Sequence, residues 1–111
     1  MTIIHPLEDS MRLDIRGRHL TLTPALLDRV TRRLRFALGR FDRRVGRVSV
    51  RLGDVNGPRG GVDKSCTVHL HAAGRSITIE ERDRDMYAAI DRAAERAGRA
   101  VERALARLRA A

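Results

Sequence analysis

Aromatic side chains are nearly missing: two Phe, one Tyr and no Trp in 111 residues. Base stacking on ring platforms, the usual grip on single-stranded nucleic acid, therefore cannot be the main way this chain holds a ligand. Cysteine is reduced to Cys66, which excludes a disulfide framework. No apolar run reaches the roughly 18 residues that a membrane-spanning helix needs. The opening MTIIHPLEDS has neither the basic start nor the apolar stretch of a secretory signal, so a cytoplasmic location is expected. Lysine is scarce as well, with Lys64 standing alone against 22 arginines.

What remains is arginine on a modest apolar core. The hydrophobic share of 42% is enough to bury one core, and the length suits one domain. Net charge is +9, unevenly spread: residues 11–59 carry 13 Arg against 4 Asp, while residues 60–111 carry 10 basic against 8 acidic. Arginine presents a planar fork of donors that fits phosphate bidentately. Such an excess is the electrostatic footprint of a polyanionic partner.

Periodicity divides the chain cleanly. From residue 12, Leu13 and Ile15 alternate with Arg12, Asp14 and Arg16, the mark of a half-buried strand. Thr23-Pro24 reads as an N-cap followed by proline in the first turn. Leu26, Val30, Leu34, Ala37 and Phe41 then line one face of a helix of about 18 residues. Val48-Val50-Leu52, Cys66-Val68-Leu70-Ala72 and Ile77-Ile79 give three more alternating strands, the last two joined by a hairpin turn at Ala73-Gly74-Arg75. Asp85 caps a final helix over 86–109, with an apolar stripe from Met86 through Ile90, Ala94, Ala97, Val101 and Leu105 to Leu108. The expected fold is α+β in the order β-α-β-β-β-α. It is a four-stranded mixed sheet with both helices on one face, residues 1–10 being an extension and 11–111 a single domain.

Catalytic combinations are weak. Glu80, Glu81, Asp83 and Asp85 form the densest acidic cluster, but strand alternation sends Glu80 and Glu81 to opposite faces. A metal-dependent nuclease would need those carboxylates to converge. Cys66, His69 and His71 have ligand-like spacing, yet parity puts the thiol on the core face and both imidazoles opposite. In the loop from Gly53 to Ser65, Pro58 and Asp63 stand where a phosphate-binding loop requires glycine. Neither an enzymatic activity nor a cofactor, metal site or small-molecule substrate is expected. The loop itself is long enough to be a candidate contact element.

The arginines do form a pattern. On the last helix Arg92, Arg96, Arg99, Arg103 and Arg107 recur at three- and four-residue steps along one face. On the first, Arg29, Arg32, Arg33 and Arg40 make a second stripe, extended by Arg43 and Arg44, with Phe36 inserted among them. Two such stripes on neighbouring helices predict a broad surface for nucleic-acid phosphates, best suited to structured RNA.

The layout, together with Arg16-Gly17-Arg18-His19-Leu20, Thr23-Pro24-Ala25-Leu26, Phe41-Asp42-Arg43 and above all Asp85-Met86-Tyr87-Ala88-Ala89-Ile90-Asp91, resembles the ribosome hibernation promoting factor / ribosome-associated inhibitor A family of ribosomal subunit interface proteins. The resemblance runs from residue 11 to about residue 109 and implies a non-enzymatic partner of the small ribosomal subunit. It implies binding to ribosomal RNA in the decoding region, blocking tRNA and mRNA and silencing translation under stress. The family's basic positions fall on Arg33, Arg96, Arg99, Arg103 and Arg107. Leu27, Phe36, Leu38 and Gly98 depart from its pattern, as does the inserted stretch between Asp54 and Cys66. The dimerisation domain of the family's long form is not expected, and neither is a membrane partner. The alternative expectation is a general binder of structured RNA without ribosome preference.

Overall fold

A computed structural model describes residues 2–55 and 62–110. Five strands and two helices follow one another as β1 (Thr2–Glu8), β2 (Met11–Arg18), α1 (Pro24–Leu38), β3 (Arg47–Asp54), β4 (Lys64–Ala72), β5 (Arg75–Asp83) and α2 (Met86–Ala110). A 3₁₀ segment, Gly39–Arg44, continues α1 toward β3. The strands lie side by side in chain order; β2 and β3 are parallel and every other pair is antiparallel.

The β-α-β-β-β-α order is as expected, but the sheet has five strands and not four. Residues 2–8, expected as an extension, supply the added edge strand, pairing Ile3 with Ile15 and His5 with Leu13. Their sequence hides it. Pro6 interrupts the run, and Ile4, on the outer face, is 62% exposed, so apolar and polar residues do not alternate. An edge strand tolerates proline because one row of its backbone groups is unpaired anyway, and the irregular register between Pro6 and Glu8 blunts that edge further.

Each later element follows from its residues. Thr23 Oγ1 accepts the Leu26 N–H at 3.2 Å and Pro24 opens α1. Asp85 caps α2 by accepting the Tyr87 N–H at 3.0 Å. The β4–β5 turn places Ala73 and Gly74 at φ of 54° and 72°, the left-handed pair that a two-residue hairpin turn demands. Leu13, Ile15, Val48, Val50, Leu52, Val68 and Leu70 from the sheet meet Val30, Leu34, Ile90 and Val101 from the helices in one core.

Helix register differs from expectation at four positions. The buried line of α1 is Val30-Leu34-Leu38, so Leu38 is a core residue at 0% exposure. Ala37 and Phe41 are only partly buried, because the α-helix gives way to the 3₁₀ segment, where Phe41 is not helical (φ −102°, ψ 20°). Leu108 is 56% exposed, one residue beyond Arg107, which already borders the Arg75 turn at the end of the sheet.

The two helices touch where Gly98 meets Ala37. A Cβ at Gly98 would sit 3.0 Å from the Ala37 carbonyl oxygen and 3.3 Å from its Cβ. Glycine inside a helix costs about 1 kcal/mol relative to alanine, and this close approach is what it permits. Gly98→Leu is predicted to destabilise the fold by about 1–3 kcal/mol, as overpacked contacts do, measurable as a lowered melting temperature. An unchanged melting temperature would show that the helix seam is not tight.

Candidate nucleic-acid interface

The expected RNA-contacting arginines separate into three groups once their partners are known. Arg29 and Arg33, with side chains 31% and 39% exposed, are turned toward α2. Both reach across from α1 to Asp91 on α2, Arg29 by two bonds from Nη1 at 2.8 and 3.0 Å, and Arg33 through Nε at 3.3 Å. The Arg29 guanidinium also lies 4.9 Å over the Tyr87 ring. A charge-assisted pair of hydrogen bonds backed by a cation–π contact is a helix-to-helix tie. Tyr87 and Asp91 are thus seam residues and Asp85 is the cap, while Met86, Ala89 and Ile90 enter the core. The stretch that identifies the sequence most sharply thus builds the helix cap, the seam and part of the core.

Arg92 and Arg96 form the second group. Arg92 Nε lies 3.0 Å from Glu81 and its Nη2 lies 2.9 Å from Asp83, while Arg96 bonds both Glu81 and the Glu80 carbonyl. Alternation does split Glu80 from Glu81, and Glu81 faces α2 where these two guanidiniums hold it. Their hydrogen bonds lower the Glu81 pKa below its ordinary 4.5, and Asp83 is lowered by the Asp85 N–H and by Arg92. The carboxylates are engaged in pinning α2 to β5. Cys66 is buried on the core side, its thiol pushed up to about 12 by burial and by the nearby Glu81 charge, which makes it an inert thiol.

The third group is exposed. Arg32 pairs with Asp28 and Arg99 with Glu95 one turn away, and Arg40 with Glu102 across the helices. Such pairs are worth little in water and can exchange a carboxylate for a phosphate at small cost. Arg43, Arg103 and Arg107 have no ionic or hydrogen-bonding partner among the described residues. Phe36, 86% exposed, stands between Arg33 and Arg40 over the helix groove, as its spacing predicted. Leu38 and Leu27, the other apolar departures from the family pattern on α1, do not join it: Leu38 is buried and Leu27 packs on the core.

The sequence did not reveal how the free cations gather. Strands β2, β3 and β5 all begin at one end of the sheet, where α2 finishes and the 3₁₀ segment delivers the chain to β3. That end collects Arg12, Arg43, Arg44, Arg47, Arg75, Arg103 and Arg107, all exposed. Arg75 was missed because it opens β5 beside the hairpin turn and belongs to neither helix stripe. It faces Arg103 and Arg107 across a notch of about 390 Å³. The two α-helices also point their negative dipole ends this way, which helps to hold the cations there. Residues 56–61, the centre of the long loop considered as a contact element, lie outside the described residues.

The family model for Sigma 54 modulation protein / S30EA ribosomal protein matches residues 13–109. Among solved structures, the N-terminal domain of Protein Y from Thermus thermophilus is similar at 32% identity and a TM-score of 0.63, over 80% of this chain and 92% of that one. A ribosomal subunit interface protein from Coxiella burnetii shares the fold at 15% identity and a TM-score of 0.70, over 85% of this chain and 97% of that one. No curated protein sequence matches significantly.

Glu81 offers a direct check on the pinning of α2. Because its folded pKa lies below the unfolded value, its stabilisation is present above about pH 4.5 and disappears as pH falls through the folded value. Glu81→Gln should cost about 1 kcal/mol at pH 7, the upper range for a surface ion pair, and nothing in strong acid. Equal losses at both pH values in thermal unfolding would mean that the charge is not what matters.

Proposed function

The chain belongs to the Sigma 54 modulation protein / S30EA ribosomal protein family, and from that premise we propose that it is a ribosome-associated inhibitor of translation. In this reading it acts in the cytoplasm under stress. It binds small-subunit ribosomal RNA in the decoding region, where its bulk excludes tRNA and mRNA. The observation that carries the reading is the collection at one end of the fold of arginines without a partner among the described residues, Arg43, Arg75, Arg103 and Arg107 among them.

The chemistry of such a contact is phosphate neutralisation. Arg103 and Arg107 offer free guanidiniums to the backbone of a folded RNA, and Arg99, Arg32 and Arg40 join by giving up exposed carboxylate partners. Arg92 and Arg96 turn only part of their donor set outward. Arg29 and Arg33 act indirectly, by fixing the angle between the helices. The relatives' names, Protein Y and ribosomal subunit interface protein, support the ribosome as partner. No step of bond making or breaking belongs to this reading, and the inert thiol and engaged carboxylates agree with that.

Arg99→Glu/Arg103→Glu should abolish co-sedimentation with small subunits and intact ribosomes in a sucrose gradient while leaving the melting temperature within a few degrees. Charged hydrogen bonds contribute about 1.5–3 kcal/mol each, so losing two weakens binding by about a hundredfold or more. Undiminished co-sedimentation contradicts the assignment. Wild-type protein that binds free structured RNA but stays at the top of the gradient favours the general RNA binder.

A further inference from the structure

Among the described residues no helix or strand covers the face of the sheet turned away from the helices, and that face is strongly basic. In the parallel β2–β3 pair, Arg12 stands in register with Arg47 and Arg16 with Arg51. Like charges directly opposite one another weaken a sheet. Arg12, Arg47 and Arg51 have no acidic partner among the described residues, and only Arg16 has one, its Nε lying 3.7 Å from Asp14. Two register-matched arginine pairs, in which Arg16 alone is compensated, are a cost to folding that an anionic ligand would relieve.

Between the two pairs runs a polar row, Asp14, Ser49, His69 and Thr78, which the register aligns across four strands. Its members Asp14, Ser49 and His69 floor a hollow of about 250 Å³ flanked by Arg16 and Arg51. Asp14 is 8% exposed, and its Oδ1 is buried without accepting any hydrogen bond among the described residues. An orphaned carboxylate oxygen is rare enough to require a reason. The arginine pairs are four residues apart along their strands, a separation of about 13 Å at the usual rise.

We propose that this open sheet face is a second RNA-binding surface, seating the wide, shallow minor groove of an RNA duplex. The Arg12/Arg47 and Arg16/Arg51 pairs take phosphates on the two sides of the groove. The row between them meets the riboses: Ser49, Thr78 and His69 exchange hydrogen bonds with 2′-hydroxyls. When a phosphate draws the Arg16 guanidinium away, Asp14 Oδ1 accepts a 2′-OH that DNA lacks. The only rings among these residues, His69 and the adjacent His71, meet edge to face at 5.2 Å and offer no stacking platform for a single strand. This surface lies across the sheet from the helix arginines, shares Arg12 and Arg47 with the basic end of the fold, and does not depend on the ribosomal reading. With both surfaces occupied, the chain clamps two RNA segments on opposite sides.

The test is fluorescence anisotropy of the full chain with an RNA hairpin and a DNA hairpin of the same sequence, in the Arg99→Glu/Arg103→Glu background to silence the helix surface. Arg47→Gln/Arg51→Gln should weaken RNA binding by about tenfold or more and reduce the salt slope by roughly 0.7–0.9 per arginine removed, without lowering the melting temperature. Asp14→Ala should shrink the preference for RNA over DNA. Should the β3 variant fail to fold, Arg12→Gln/Arg16→Gln repeats the measurement from β2. Unchanged affinity and slope in the arginine variants, or equal binding of RNA and DNA before any change at Asp14, would overturn the proposal. Failure of the ribosomal reading would show in the gradient and leave this hairpin assay untouched.

Discussion

Everything on the helical side of this protein depends on Asp91. One carboxylate on α2 receives Arg29 and Arg33 from successive turns of α1, with Tyr87 beneath Arg29, and a few turns further along Gly98 lets Ala37 close in. The tie and the contact together fix the rotation of each helix about its own axis. That rotation decides which arginines face outward. Turning α1 by one residue position would bury Arg32 or expose Leu34, and the basic surface would cease to be continuous.

Charge is therefore used in two ways within the same stripes. Arginines facing a carboxylate at an inter-element contact hold the fold: Arg29 and Arg33 at the seam, Arg92 and Arg96 on β5. Those at the end where β2, β3 and β5 begin have no partner among the described residues and create a field that points away from the protein. Because paired charges are locally neutral, the reach of that field toward a polyanion comes mostly from the second set.

Most of the architecture was legible in the sequence because it is written in short-range patterns. Period-two alternation gave β2 to β5, Thr23-Pro24 and Asp85 announced both helix starts, and Phe36 fell off the apolar stripe as expected. β1 was not legible, since an edge strand carrying proline and an exposed Ile4 has no alternation to read. The site was half legible. Spacing identified the arginine stripes but could not tell which arginines would meet a carboxylate more than ten residues away in the chain, as Arg29 meets Asp91 and Arg92 meets Glu81. Arg75 and the Arg12/Arg47 and Arg16/Arg51 pairs become visible only when strand order and register are known.

The central claim is that arginine–phosphate contacts, and not apolar ones, hold this chain to its RNA. The most direct measurement is the affinity of the wild-type protein for purified small ribosomal subunits across a range of salt concentrations. Counterion release predicts a steep, straight fall of log affinity with log salt, each contact adding roughly 0.7–0.9 to the slope. An affinity that stays flat as salt rises would contradict the account.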